Sequence, residues 1–445
     1  MNFVRQHLID KAVVLLDYAK RAGADHADVV VVRSCCYSVS VYLGEVEGTE
    51  ASESADFSLR VFVGQGVASV SATLESDSEM LAMRAVCMAK VSPSNPFEDL
   101  ADSSLLVRKV KKLDLFDSFQ PDSRRLTEDA LETESAGLDV PGVTNSGGAD
   151  ASYTNVSLVL VTSNGFCKDY LSSRFVRSCS VVAGEGMSME RDYDCTATVH
   201  FSDMDSCKNL GRKAGERAVR RLGARQMKTG MIDVIFDHRV ASGIAGHLAA
   251  MVNGAAVVRK TSLLGSSMGK RIMKAGVNVF DNPLRQRGLY SRPFDDEGVE
   301  GVPLYIVKDG VLRNWLLSSS VARELNLRTN GRGVRSSLSV LPSCTNFTIE
   351  PGSISTQDMI SGVSSGLYVT ELFGPGVDLI TGQYSRGASG FCIEGGVLTS
   401  PVNEVTLASN LLHMLSHMIP ADDLDRCYGV ASPTLLIEGM MLAGK

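Results

Sequence analysis

The amino-acid sequence predicts an α+β protein: an N-terminal helix–antiparallel meander–helix unit, followed by a mostly β C-terminal domain built as a curved sheet or barrel. Two observations carry this. Hydrophobic spacing switches from the helical period to the two-residue period and back within residues 1–91. From residue 227 onward, short β-branched and aromatic runs recur between glycines, with a single strong helical window.

Taken in order, residues 3–21 place Val4, Leu8, Ala12, Val14, Leu15, Leu16 and Ala19 at mostly helical spacing, and Gly23 follows where a helix stops. Four antiparallel strands are expected between Ala27 and Thr73, at D-V-V-V-V, Y-S-V-S-V-Y-L, D-F-S-L-R-V-F-V and V-A-S-V-S-A-T. The turns G-E-V-E-G and G-Q-G separate them. Ser76 to Lys90 reads as a second helix, with Glu75 and Asp77 near its start, where the helix dipole favours carboxylates.

Residues 92–148 turn polar and irregular, with four prolines, N-S-G-G at 145–148 and one acidic helical stretch from Thr127 to Ser135, and read as a connecting region. Alternation returns over 149–202, notably at 157–162 and 178–186. Met204 to Leu222 then reads as a helix that Gly223 ends. Beyond it, strands are expected at I-D-V-I-F, P-L-Y-I-V-K-D-G-V-L, T-N-F-T-I-E and G-L-Y-V-T-E-L-F, and a helix at 407–419. The domains implied are 1–91, then 92–226 packed with it, then 227–445.

The 445 residues hold 44 basic and 51 acidic side chains, for a net charge of −7. The basic runs Arg108–Lys112 and Arg217–Arg225 are short and interrupted, so no direct nucleic-acid contact is expected. Asp10 and Lys11 interrupt what would be a signal core, and no window reaches about 18 uncharged apolar residues. A cytoplasmic protein without membrane contact is the expectation. Ten cysteines without a C-x-x-C spacing read as reduced, mostly buried thiols.

A zinc peptidase of the commonest kind needs H-E-x-x-H on a helix, and that motif is absent. Of seven histidines, only His413 and His417 share a helical i,i+4 spacing. They read as polar positions flanking an apolar face, with Asp422, Asp423 and Asp425 keeping a metal option open. G-S-S-M-G at 265–269 matches the outline of a serine-nucleophile elbow and nearly that of a phosphate loop. It lacks the preceding strand of the one and the glycine spacing of the other, so it reads as a glycine-rich loop.

Several ordered motifs run through the C-terminal half: G-H-L-A-A-M-V-N-G-A-A-V-V-R-K-T-S-L-L at 246–264, D-N-P-L at 281–284 and P-F-D-D-E-G-V at 293–299. The series continues with N-F-T-I-E-P-G at 346–352, T-G-Q-Y-S-R-G-A-S-G-F-C-I-E-G-G at 381–396, P-V-N-E-V-T-L-A-S-N-L at 401–411 and L-L-I-E-G-M at 435–440. Together they resemble the TldD/PmbA (modulator of DNA gyrase) metallopeptidase family, on its PmbA/TldE branch.

The resemblance implies an active site of the form H-E-x-x-x-H in the TldD branch, with a cysteine near the C-terminus helping to hold the metal. His247 matches the second histidine, Ser242 stands where the first would be, and Gly243 replaces the glutamate. Cys427 falls in the neighbourhood of the terminal cysteine, within D-R-C-Y-G. A lone imidazole does not fix a tetrahedral ion, and no carboxylate is placed to take a proton from bound water. Ser242, Gly243 and His247 therefore read as a vestigial site, and no catalytic residue or metal is expected on this chain. His247, His413, His417 and Cys427 are the weak metal candidates.

The resemblance further implies a TldD-type partner that carries the zinc, a heterodimer with it (a homodimer in isolation being the alternative), and unfolded or small peptides as substrates. Two other readings stay open: an autonomous metallopeptidase with unconventional ligands, and a non-enzymatic peptide-binding or gyrase-modulating protein.

Overall fold

A computed structural model describes residues 2–336 and 339–445 of the chain. Helix α1 (Asn2–Arg21) leads into strands β1 (His26–Tyr42), β2 (Glu45–Val63) and β3 (Gly66–Thr73), then α2 (Ser78–Val91). The expected helix–meander–helix is present with three strands instead of four. The first two expected strands are one, because R-S-C-C holds no turn former and Arg33–Cys36 stay paired both with β2 and with a later strand at Val143–Thr162. In α1, Leu8, Ala12, Leu15, Leu16 and Ala19 are buried while Val14 is exposed; the Val4 side chain lies outside the described residues.

Helix α3 (Ser123–Leu138), strands β4 (Val143–Thr162), β5 (Cys167–Ala183) and β6 (Glu190–Thr198), and helix α4 (Cys207–Arg220) follow. N-S-G-G is thus not a connection: β4 runs through it by shifting register between Ser146 and Ala149, with Gly148 at a φ of 94°. Gly223, φ 77°, lies just past α4 as expected.

All six strands form one antiparallel sheet in the order β3-β2-β1-β4-β5-β6. Strand side chains alternate, so the odd-numbered face of β1 is buried twice over. Val29 and Val31 meet α1 and α2, while Val39 and Val41 meet α3 and α4. All four helices therefore sit side by side on one face. Val30, Leu158 and Leu160, on the other face, meet Phe166 and Phe294, the phenylalanine of P-F-D-D-E-G-V. At one end, β3 pairs only with Asp56–Val63, and Glu45–Ser54 of β2 are exposed.

The C-terminal half contains β7 (Gly230–Phe236), α5 (His238–Met251), α6 (Gly254–Val258), β8 (Val279–Asn282), β9 (Leu304–Lys308), β10 (Val311–Leu312), α7 (Ser319–Glu324), β11 (Gly333–Arg335), β12 (Val340–Pro342) and β13 (Asn346–Ile349). It continues through α8 (Thr356–Ser361), β14 (Ser365–Phe373), β15 (Gln383–Glu394), β16 (Val397–Asn410), α9 (Leu411–His417), β17 (Met418–Pro420), β18 (Val430–Ala431) and β19 (Leu435–Ala443).

Strands β16-β15-β14-β7-β19 close into a five-stranded barrel, because β19 pairs back onto β16 through Thr406–Ala408. A second sheet, β10-β9-β8-β13-β18, stands beside it, its β9–β10 turn made by Asp309 and Gly310, both at positive φ. Helix α5 buries Ala241, Ile244, Ala245 and Leu248 in the core that barrel and sheet share.

Two corrections apply here. The helix expected at 407–419 is α9 alone, because V-T-L-A-S-N before it pairs with β15 and β19. Further helices, α5 above all, occupy a half expected to hold one. Gly243 and Gly246, poor helix formers, masked α5. Among the described residues no helix is long and apolar enough to cross a membrane.

Candidate functional site

Strand β7 ends at Phe236, and Asp237 caps α5 by accepting a hydrogen bond from the Arg239 N–H at 3.0 Å. Its other oxygen accepts from the Tyr368 hydroxyl at 2.8 Å. Burial alone would raise the Asp237 carboxyl; His238 and Arg239 outweigh it and hold the group below its ordinary range. The Arg239 guanidinium reaches Asp192 on β6 at 2.9 Å, and Arg221, just past α4, reaches Glu371 on β14 at 2.5 Å. The start of α5 is thereby clamped between the N-terminal sheet and the barrel.

One turn on, the Ser242 hydroxyl donates to the Arg239 carbonyl at 2.7 Å, inside its own helix. Gly243 is exposed, and a Cβ built there meets nothing within 4 Å. Gly243→Ala is therefore expected to stabilise the fold by roughly 0.5–1 kcal/mol, the usual gain when a mid-helix glycine gives way without strain. Urea unfolding checks it, and a lower midpoint would show a constraint the open space conceals. His247 is half-buried; burial first, then the Arg386 charge, lowers its pKa and favours the neutral ring.

Cys427 lies elsewhere, in a cleft of about 760 Å³ between β6 and α4 on one side and residues 285–289 and 423–428 on the other. Cys195 and Tyr428 stand beside it, the Cys195 sulfur 3.8 Å from the Tyr428 hydroxyl. Burial, then Asp425, pushes the Cys427 thiol up and favours its protonated form. The histidine that shares this cleft is His238, not His247. Asp237 as N-cap just before His238 was the available signal.

His413 and His417 stack, ring centroids 4.0 Å apart. Each ring has a nitrogen on a backbone carbonyl, His413 on that of Glu438 at 3.0 Å and His417 on that of His413 at 2.9 Å. Asp423 accepts from Thr356 and Thr434 instead of turning toward them. Among the described residues, no three His, Cys, Asp or Glu side chains gather as a metal site would require.

Comparison with known proteins decides the family. The chain is 33% identical over 446 aligned residues to the Haemophilus influenzae protein named Metalloprotease PmbA homolog, covering 99% of this chain and 96% of that one. The chain belongs to the PmbA/TldD metallopeptidase family. Its models match residues 27–89 (PmbA/TldA metallopeptidase domain 1), 116–222 (central domain) and 229–444 (C-terminal domain).

Metalloprotease PmbA of Escherichia coli O157:H7 is also 33% identical, over 99% of this chain and 97% of its own length. The crystal structure of TldE from Thermococcus kodakarensis superposes with a TM-score of 0.86, covering 98% of this chain and 100% of that one, at 18% identity. That likeness establishes the fold. For a family named for metallopeptidases, the donors here do not fit a zinc ion. His247 has a guanidinium charge beside it in place of a second ligand, and Ser242 is spent on its own helix.

Proposed function

We propose that this chain is the non-catalytic, PmbA/TldE-type subunit of a cytoplasmic metallopeptidase complex, whose TldD-type partner carries the zinc and cleaves unfolded or small peptides. The observation that carries this is the composition of α5. Its family-matching segment offers Ser242, Gly243 and one imidazole that burial and the Arg386 charge keep neutral, where zinc-dependent peptide hydrolysis needs several ligands and a carboxylate base. In this reading the chain supplies scaffold and cavity wall, and extended peptides bind by main-chain hydrogen bonding with little sequence demand.

The test is to purify the chain alone and together with a relative that retains H-E-x-x-x-H. The expected result is co-purification, with stoichiometric zinc and peptidase activity only in the complex. Zinc binding and cleavage by the lone chain would sink the reading, and so would a relative that works fully without it.

A further inference from the structure

Between the first two family-matched segments lies a stretch, residues 90–115, that neither model covers. Its segment 104–112 forms one wall of a cleft of about 1090 Å³, whose other wall is Val299–Val302 and Arg328–Asn330 of the C-terminal half. Five cations line it, Arg108, Lys109, Lys111, Lys112 and Arg328, against one carboxylate, Glu300. Glu300 is already paired with Lys111. Among the described residues, Arg108, Lys109 and Lys112 have no carboxylate within ion-pair distance. Three uncompensated charges thus project into one cleft of a chain whose net charge is −7.

Two more features restrict what fits. Val107 donates its N–H to the Gly298 carbonyl at 2.9 Å, and the Leu113 carbonyl accepts from the Arg287 N–H at 2.9 Å. Between them, the backbone of residues 108–111 makes no hydrogen bond to another described residue. An incoming chain therefore finds open donors and acceptors beside the cations. The remaining lining includes aliphatic side chains such as Leu105, Val110 and Val302, and no aromatic ring. Single-stranded nucleic acid, which leans on aromatic stacking, lacks its platform here.

We propose that this cleft is a docking site for an acidic polypeptide segment in which carboxylates alternate with aliphatic side chains. It concerns binding by this chain alone and does not rest on the partner or on hydrolysis, so it stands or falls separately from the complex. The experiment is fluorescence anisotropy of a labelled alternating Glu–Val peptide with the full chain, beside Gln–Val and Lys–Val peptides of equal length.

The acidic peptide is expected to bind, and to weaken about tenfold or more as salt screens the contacts. The triple variant Arg108→Glu, Lys109→Glu, Lys112→Glu is expected to lose about tenfold or more in affinity, since each exposed contact is individually small and each reversal adds repulsion. All three side chains are exposed, so circular dichroism should remain that of the parent. Reversing Lys208 and Arg212 on α4 should leave binding unchanged. Equal binding of the Gln–Val peptide, full binding by the triple variant, or displacement by an oligodeoxynucleotide at lower concentration than by unlabelled peptide would overturn the proposal.

Discussion

Asp281→Ala is expected to destabilise the protein by roughly 3–5 kcal/mol, the cost of leaving a buried charge without its partner. Asp281 on β8 and Arg332 are both fully buried, their Oδ2 and Nε 2.5 Å apart. Asp281 also accepts from the Thr345 N–H at 2.7 Å and the Thr345 hydroxyl at 2.8 Å. Arg332 spends its other nitrogens on the carbonyls of Asn330, at 2.6 Å, and Val302, at 2.8 Å. Deleting the carboxylate strands the guanidinium where water does not reach it, whereas Asp281→Leu with Arg332→Met removes both charges. Urea unfolding of the three proteins checks the logic: the double variant should recover much of the loss. A single variant within about 1 kcal/mol of the parent would mean that water enters the site.

Glu297→Gln should act in the opposite direction, and as a function of pH. Glu297 and Asp295 are buried where P-F-D-D-E-G-V meets the N-terminal sheet. Asp28 is 2.6 Å from Arg60 and also pairs with Arg335, and Glu98 lies 3.6 Å from Arg60. Two guanidinium groups are thus balanced by two carboxylates, and among the described residues Glu297 has no counter-ion of its own. One of its oxygens accepts from the Ser319 N–H at 2.7 Å, while the other, though buried, has no hydrogen-bond partner among the described residues.

Burial, and then the charge of Asp295, pushes Glu297 up to about 7 from 4.5. The folded state therefore holds this proton over a range in which the unfolded state has released it. The stabilisation is complete below pH 4.5 and is lost as the pH rises to about 7. Above that, ionised Glu297 beside Asp295 is a net cost that the neutral amide avoids. The variant should be the more stable protein in mild alkali and should lose one proton's worth of pH dependence between those limits. Parallel slopes for variant and parent, with no gain above neutrality, would falsify the assignment.

The first half of the fold was legible because its periods are long and clean. Leu8, Ala12, Leu15 and Ala19 gave α1, and the alternation of Phe57, Leu59 and Val61 gave the buried face of β2. The barrel was half legible. Its strands could be read individually, but closure depends on β19 returning to β16, a pairing that no local pattern encodes. Helix α5 was hidden by Gly243 and Gly246, which break the helical pattern around His247.

The strand at the end of β16 was misread because V-T-L-A-S-N-L-L fits either period until a neighbour selects one. Cys427 could be named from the sequence but not placed. Its neighbours Tyr428 and Cys195 meet across a separation of 233 residues, and the cleft beside residues 104–112 likewise joins segments far apart in the chain.

The uneven ends of the six-stranded sheet determine how this molecule behaves among its own copies. A sheet with two open ends is a template for fibre growth, each copy extending the last. At the β6 end, the Asn403 amide of the barrel donates to Glu190 at 2.9 Å, and the C-terminal half stands in the way of an arriving strand. At the other end the open rim of β2 carries Glu45, Glu47, Glu50 and Glu53, the last paired with Arg33. A second copy laid along that rim brings glutamates against glutamates. Edge-to-edge growth of this sheet is therefore opposed by bulk at one end and by repulsion at the other.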